Sequence, residues 1–209
     1  MDNDDFRRGK PSNHKVFGEA NAVLAGDALL TFAPQLIIEK SEGLACEIIL
    51  KLVHEYTKFA GAYALIAGQV VDIESEGGKL TKSPEETLEF IHMNKTAALF
   101  RLAIRSGAII AEVNERGLIE LDEFAKKFGL VFQIYDDIMD EISTFEELGK
   151  TIGKDKNSGK LTYVSLYGLD EAKKKFGLLL KDCYDIVEKY NSEIFRSILN
   201  KLRDRILGV

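Results

Sequence analysis

Gln133, Asp136, Asp137 and Asp140 recur at i, i+3, i+4 and i+7, so on a helix they share one face. Around them stand Leu130, Val131, Phe132, Ile134, Tyr135, Ile138, Met139 and Ile142, which leave little of that helix for solvent. Carboxylates crowded on such a face each disfavour ionisation of the others and are costly without a cation. A hard divalent ion with oxygen ligands is the natural counter-charge, and Mg²⁺ usually arrives with a substrate phosphate. A second acidic cluster, Asp2-Asn3-Asp4-Asp5, opens the chain and is followed by Arg7, Arg8 and Lys10. Guanidinium forks beside aspartates suit a bidentate grip on a diphosphate. The chemistry suggested is therefore a metal–diphosphate site, with an ordinary solvated acidic face and basic turn as the bland alternative. An EF-hand at Asp2 fails because Arg7 stands where the loop needs glycine. The Gly- and Lys-rich stretch 149–160 lacks the spacing of a P-loop. His14, His54 and His92 are isolated, so no histidine-based metal or nucleophile set is visible.

The elements that must position these residues read as helices. Only three prolines occur, and no run alternates with period two long enough for a sheet, so the fold class is all-α. Residues 13–40 are rich in Gly and Ala, which predicts a central bundle helix kinked near Pro34, with Asp27 either a satisfied buried carboxylate, the favoured reading, or part of the subunit packing. Residues 44–74 read as a helical pair or one interrupted helix, with Gly61 and Gly68 as weak points. Ser83-Pro84-Glu85-Glu86 is a helix start with a capping box, and that helix carries Lys95 to about Ser106. Another begins after Gly117 and carries the Asp136 cluster; 144–160 reads as a loop, and Asp170 to Leu207 as amphipathic helix.

At 209 residues the chain is most simply one domain, and a net charge of −6 without a basic face argues against nucleic-acid binding. Cys46 and Cys183, far apart in apolar patterns, read as buried reduced thiols and point to the cytoplasm. No segment reads as a membrane span or signal peptide, so no integral membrane association is expected.

Taken in order, Met1–Pro11, Phe17–Ala22, Ala25–Leu29, Gly68–Asp72, His92–Thr96, Phe132–Asp140 and Gly159–Tyr163 resemble the trans-polyprenyl diphosphate synthases, in particular the short-chain bacterial farnesyl type. The resemblance spans essentially the whole chain. It implies an all-α isoprenoid-synthase bundle and a Mg²⁺-dependent condensation of isopentenyl diphosphate with dimethylallyl or geranyl diphosphate, giving farnesyl diphosphate and pyrophosphate. It implies that Asp136, Asp140 and Asp137 form one metal motif with Asp2 left from the other; that Lys95, Lys150, Lys160 and Arg7 hold the allylic diphosphate; that Arg8 reaches isopentenyl diphosphate; that Gln133 and Thr96 line the reacting carbons; and that Gln69 and Asp72 support the site. A homodimer is also implied. The Asp-Asp pair that precedes Asp2 in the family is absent, as are the upstream helices, and Val164 replaces a common proline. The chain is therefore expected to be an N-terminally incomplete portion with little turnover of its own. The alternatives are a geranylgeranyl or longer-chain synthase, a non-catalytic prenyltransferase-like subunit and, more remotely, a terpene cyclase.

Overall fold

In the computed structural model, residues 4–76, 78, 80–143 and 160–208 are described, together with all their side chains except that of Leu207. Asp2, Lys150 and nearly all of the expected 144–160 loop lie outside them. Among the described residues the regular elements are helices apart from a ladder pairing β1 (Phe6–Arg7) with β2 (Lys10–Pro11). Arg8 and Gly9 supply its turn with φ of 52° and 72°. The left-handed region is uncommon for a non-glycine residue, and positive φ at both central positions is the type I′ geometry of tight hairpins.

After α1 (Asn13–Phe17), the expected 13–40 helix breaks at Gly18, where φ is 84°, and α2 (Glu19–Lys40) continues through Pro34. Pro34 has no N–H to give the Leu30 carbonyl, and Tyr56 of α3 (Cys46–Ala60) donates its hydroxyl to that oxygen at 2.9 Å. Two expectations are corrected here. No residue of α2 is buried, so this helix lies on the outside of the described bundle, and Asp27 is exposed. The Gly/Ala density that suggested a core helix marks a helix free to be approached closely, without saying by what. With a mean hydropathy of 1.4, α2 is also long and apolar enough to cross a membrane by length and composition, contrary to the expectation that no segment would be. Cys46 likewise proves exposed, whereas Cys183 is buried and its thiol is pushed up to about 12 by desolvation.

The chain turns at Gly61 into α4 (Leu65–Glu76), which runs on through Gly68, so only one of the two expected weak points breaks the pair. Ser83 caps α5 (Pro84–Ile91) with the full reciprocal box: Ser83 Oγ accepts from the Glu86 amide and the Glu86 carboxylate accepts from the Ser83 amide. Where a continuous helix was expected, His92–Thr96 forms a π-turn before α6 (Ala97–Ile110). Asn114 caps α7 (Glu115–Ile142) by accepting from the Gly117 amide, and α8 (Tyr163–Tyr167), α9 (Leu169–Lys189) and α10 (Glu193–Leu207) follow.

The core sits around α7. Phe124, Phe128, Val131, Ile134 and Ile138 pack against Phe176, Leu180 and Val187 of α9 and Leu199 of α10. On its other side α7 meets the start of α6 at Gly129, where an added Cβ would fall 2.5 Å from Ala97 Cα. Farther along α6, Arg105 grips Glu55 through two bonds of 2.6 and 2.7 Å, and Arg101 grips Asp122 through two of 2.9 Å. These forks tie α3, α6 and α7 together, with the Arg101 guanidinium 4.7 Å from the centre of the Phe59 ring.

Candidate active site

The π-turn is the centre of the site. A π-turn closes i→i+5 bonds, and here the Ala97 amide reaches the His92 carbonyl. It stands where two glycines allow other backbones to come close. At Gly68 of α4 an added Cβ would lie 2.3 Å from the Lys95 amide nitrogen, and Gly129 of α7 abuts Ala97 immediately after the turn. Three elements thus converge on Lys95 and Thr96.

Lys95 donates from Nζ to Asp72 Oδ2 of α4 at 2.5 Å, so it is a half-buried lysine tied to a buried carboxylate, not a surface one. Asp72 Oδ1 and the neighbouring Gln69 Nε2 are both buried and lack hydrogen-bond partners among the described residues. A buried unsatisfied acceptor and donor one turn apart are costly. Beside Lys95 they suit a hydrated cation on Asp72 and an anionic oxygen on Gln69.

Thr96 Oγ1 donates to Gln133 Oε1 of α7 at 2.5 Å, and Gln133 Nε2 donates to Asp137 Oδ1 at 2.8 Å. Asp137 Oδ2 accepts from the Tyr163 backbone amide at 2.7 Å. That bond pins the start of α8, itself capped reciprocally by Thr162 and Ser165, and so anchors the segment that begins at Lys160. His92 Nε2 lies 3.7 Å from Asp137 Oδ2, beyond hydrogen-bond reach. Burial, with a smaller contribution from Lys160, depresses the imidazole to about 3, so this ring is neutral.

The four acidic-motif residues thus divide by environment. Asp137 is buried, whereas Gln133, Asp136 and Asp140 are half-buried. Asp137, Asp140, Glu141 and Lys160 line one cavity of about 560 Å³. Another of about 620 Å³, between α3 and the far end of α6, shares none of these residues. Among the described residues no three acidic, histidine or cysteine side chains are gathered as a ready-made metal cage. The residues present nevertheless fit Mg²⁺, which commonly takes one or two carboxylates and completes its shell with water and substrate phosphate. Asp136 and Asp140 would supply the carboxylates.

Arg7 is brought to Asp4 at 3.0 Å on the hairpin, and Arg8 is exposed at its turn. Asp2 and Lys150 lie outside the described residues. The linking parts played by His92, by the Tyr163 amide and by Arg205, whose Nη1 donates to the Tyr135 hydroxyl at 3.0 Å, were not legible from residue types. The spacing of His92 three residues before Lys95 was the one available hint.

The polyprenyl synthetase family model matches residues 1–202, and the chain belongs to that family. It is 48% identical over 174 residues to the farnesyl diphosphate synthase of Geobacillus stearothermophilus, covering 83% of this chain and 58% of that protein. It is 46% identical over 193 residues to a chloroplastic geranylgeranyl pyrophosphate synthase of Catharanthus roseus, covering 92% of this chain and 54% of that one. Among solved structures, the Helicobacter pylori geranyltransferase complexed with magnesium and isoprenyl diphosphate superposes with a TM-score of 0.80 at 31% identity, over 100% of this chain and 66% of its own. The Thermotoga maritima geranyltranstransferase does so at 0.77 and 30%, covering 100% and 69%. The chain therefore spans between about half and two thirds of the length of these relatives.

Proposed function

We propose that the site performs the farnesyl-type reaction, joining isopentenyl diphosphate to dimethylallyl or geranyl diphosphate with loss of pyrophosphate. The observation that carries this reading is the convergence on one π-turn of the Lys95–Asp72 pair and a Thr96–Gln133 bond, Gln133 standing on the helix that also carries Asp136 and Asp140. An ionising allylic diphosphate needs positive charge at the leaving group and oxygen lone pairs near the cation left behind. Lys95, with Lys160 and Lys150, answers the first need, Arg7 adding charge at the hairpin. The oxygens of Thr96 and Gln133 answer the second. Arg8 is assigned to isopentenyl diphosphate and Gln69 to a diphosphate oxygen. Mg²⁺ held by Asp136 and Asp140 would supply Lewis-acid neutralisation of the departing pyrophosphate.

The 209-residue chain is read as one portion of a single prenyltransferase domain, acting in the cytoplasm as a homodimer. Since it spans little more than half of the curated relatives it matches, the full reaction is assigned to the complete catalytic unit, and the chain alone is expected to turn over little. A second reading, a geranylgeranyl-type product, is favoured by the similarity to the Catharanthus enzyme. Incubating the protein as its own cell makes it with labelled isopentenyl diphosphate, each allylic diphosphate and Mg²⁺, then separating the dephosphorylated alcohols, tests both. A fifteen-carbon product supports the farnesyl reading and a twenty-carbon product the second; no condensation product with any allylic partner rejects both.

A further inference from the structure

The buried carboxylate of Asp137 dictates which way a chain of hydrogen bonds runs. Its Oδ2 accepts from the Tyr163 amide at 2.7 Å, and its Oδ1 lies 2.8 Å from the Gln133 carboxamide. A carboxylate can only accept, so Gln133 must turn its NH₂ group toward it. The amide oxygen that remains can also only accept, so Thr96 spends its single hydroxyl proton on it, at 2.5 Å. Thr96 is half-buried, and its proton is committed to Gln133 wherever else the hydroxyl faces. There it has lone pairs to offer and no proton. The orientation of Gln133 is thus fixed by chemistry, not by the interchangeable shapes of an amide's two ends.

We propose that Asp137 is a positioning residue and not a metal ligand: through Gln133 it makes Thr96 an obligate acceptor, so that lone pairs rather than an O–H dipole face the carbon that becomes cationic. The proposal rests on the prenyl-transfer reading for the identity of that carbon, but not for the polarity of the chain. Placement separates Asp137 from its neighbours. It lines the same cavity as Asp140, but it is 6% exposed with an N–H donor on each oxygen, while Asp136 and Asp140 are half-buried.

Asp137→Asn reverses the chain. The Tyr163 amide is fixed by the backbone and claims the oxygen of the new carboxamide, whose NH₂ then meets Gln133. Gln133 must rotate, its own NH₂ donates to Thr96, and the threonine proton is freed to oppose a cation. In the metal-free 209-residue chain, nuclear Overhauser contacts read this directly. The Gln133 amide protons should contact the residue 137 methylene in the wild type and in Thr96→Val, and should move to the Thr96 methyl in Asp137→Asn. Should that variant fail to fold, the wild-type and Thr96→Val contacts still decide: amide protons lying against position 96 in either overturn the proposal.

Titration with Mn²⁺ and inorganic pyrophosphate separates positioning from ligation. Asp137→Asn should bind within about threefold of wild type while Asp136→Asn loses tenfold or more, the scale of a missing metal-site contact. An equal loss in both overturns the proposal. In the complete catalytic unit, Asp137→Asn should lower kcat on the order of 100-fold at unchanged KM. That loss should vanish in a Thr96→Val background, whereas additive losses overturn the relay. If Gln133 rotates as stated but no variant or wild type condenses prenyl diphosphates, the relay stands and the prenyl-transfer reading falls.

Discussion

Lys95 and Asp72 are each costly alone and acceptable together. The Asp72 side chain is 2% exposed and that of Lys95 22%, so removing either partner leaves a charge short of solvent. Lys95→Met should destabilise the chain by roughly 3 kcal/mol in urea unfolding, the scale for breaking a buried pair. Adding Asp72→Asn should recover most of that loss without recovering pyrophosphate binding. If the double variant also restored binding, Lys95 would be a structural residue only. At this scale the sequence singled out residues that the structure ties together: Lys95 is paired with Asp72, and Thr96, Gln133 and Asp137 form one chain of hydrogen bonds. It was silent on which aspartate is buried, because helical spacing places Asp136 and Asp137 about equally and only packing against α8 distinguishes them.

Elements converge on the π-turn because two glycines omit a side chain. At Gly68 an added Cβ would sit 2.3 Å from the Lys95 nitrogen, and at Gly129 one would sit 2.5 Å from Ala97 Cα. Both neighbours are backbone and cannot swing aside, so Gly68→Ala and Gly129→Ala should each cost about 3 kcal/mol, despite alanine's better helix propensity. Thermal melts by circular dichroism would show this, and a stabilising Gly→Ala change at either site would contradict the close approach. Ser83→Ala, by contrast, removes one cap and should cost about 1 kcal/mol. The capping box was readable because its residues bond only to each other and to nearby backbone. The π-turn was not, since nothing in His92-Met93-Asn94-Lys95-Thr96 announces an extra residue, and the glycines that admit it lie on other helices.

Across the molecule, the Arg–carboxylate forks behind the site make stability depend on pH. Burial alone would raise Glu55 and Asp122, but the hydrogen bonds and charges of Arg105 and Arg101 outweigh it and hold both carboxyls below their ordinary values of 4.5 and 3.8. A carboxyl lowered in the folded state contributes fully above its unfolded value and loses that contribution as pH falls through the folded one. The melting temperature should therefore drop as pH is lowered from about 5 toward 3, and less steeply in Glu55→Gln. An unchanged slope would show that other groups govern acid unfolding. The outer face of α2 exposes Val23, Leu24, Leu29 and Ile38, and composition alone mistook that helix for core because apolar residues read alike whether they face the bundle or an outer surface. The metal–diphosphate site is tested most directly by titrating inorganic pyrophosphate into this chain with and without Mg²⁺. Binding should require the ion, weaken at least tenfold in Lys95→Ala, as expected for a lost phosphate-holding charge, and disappear when Asp136→Asn and Asp140→Asn are combined. Binding that ignores Mg²⁺, or that survives those substitutions unchanged, would contradict it.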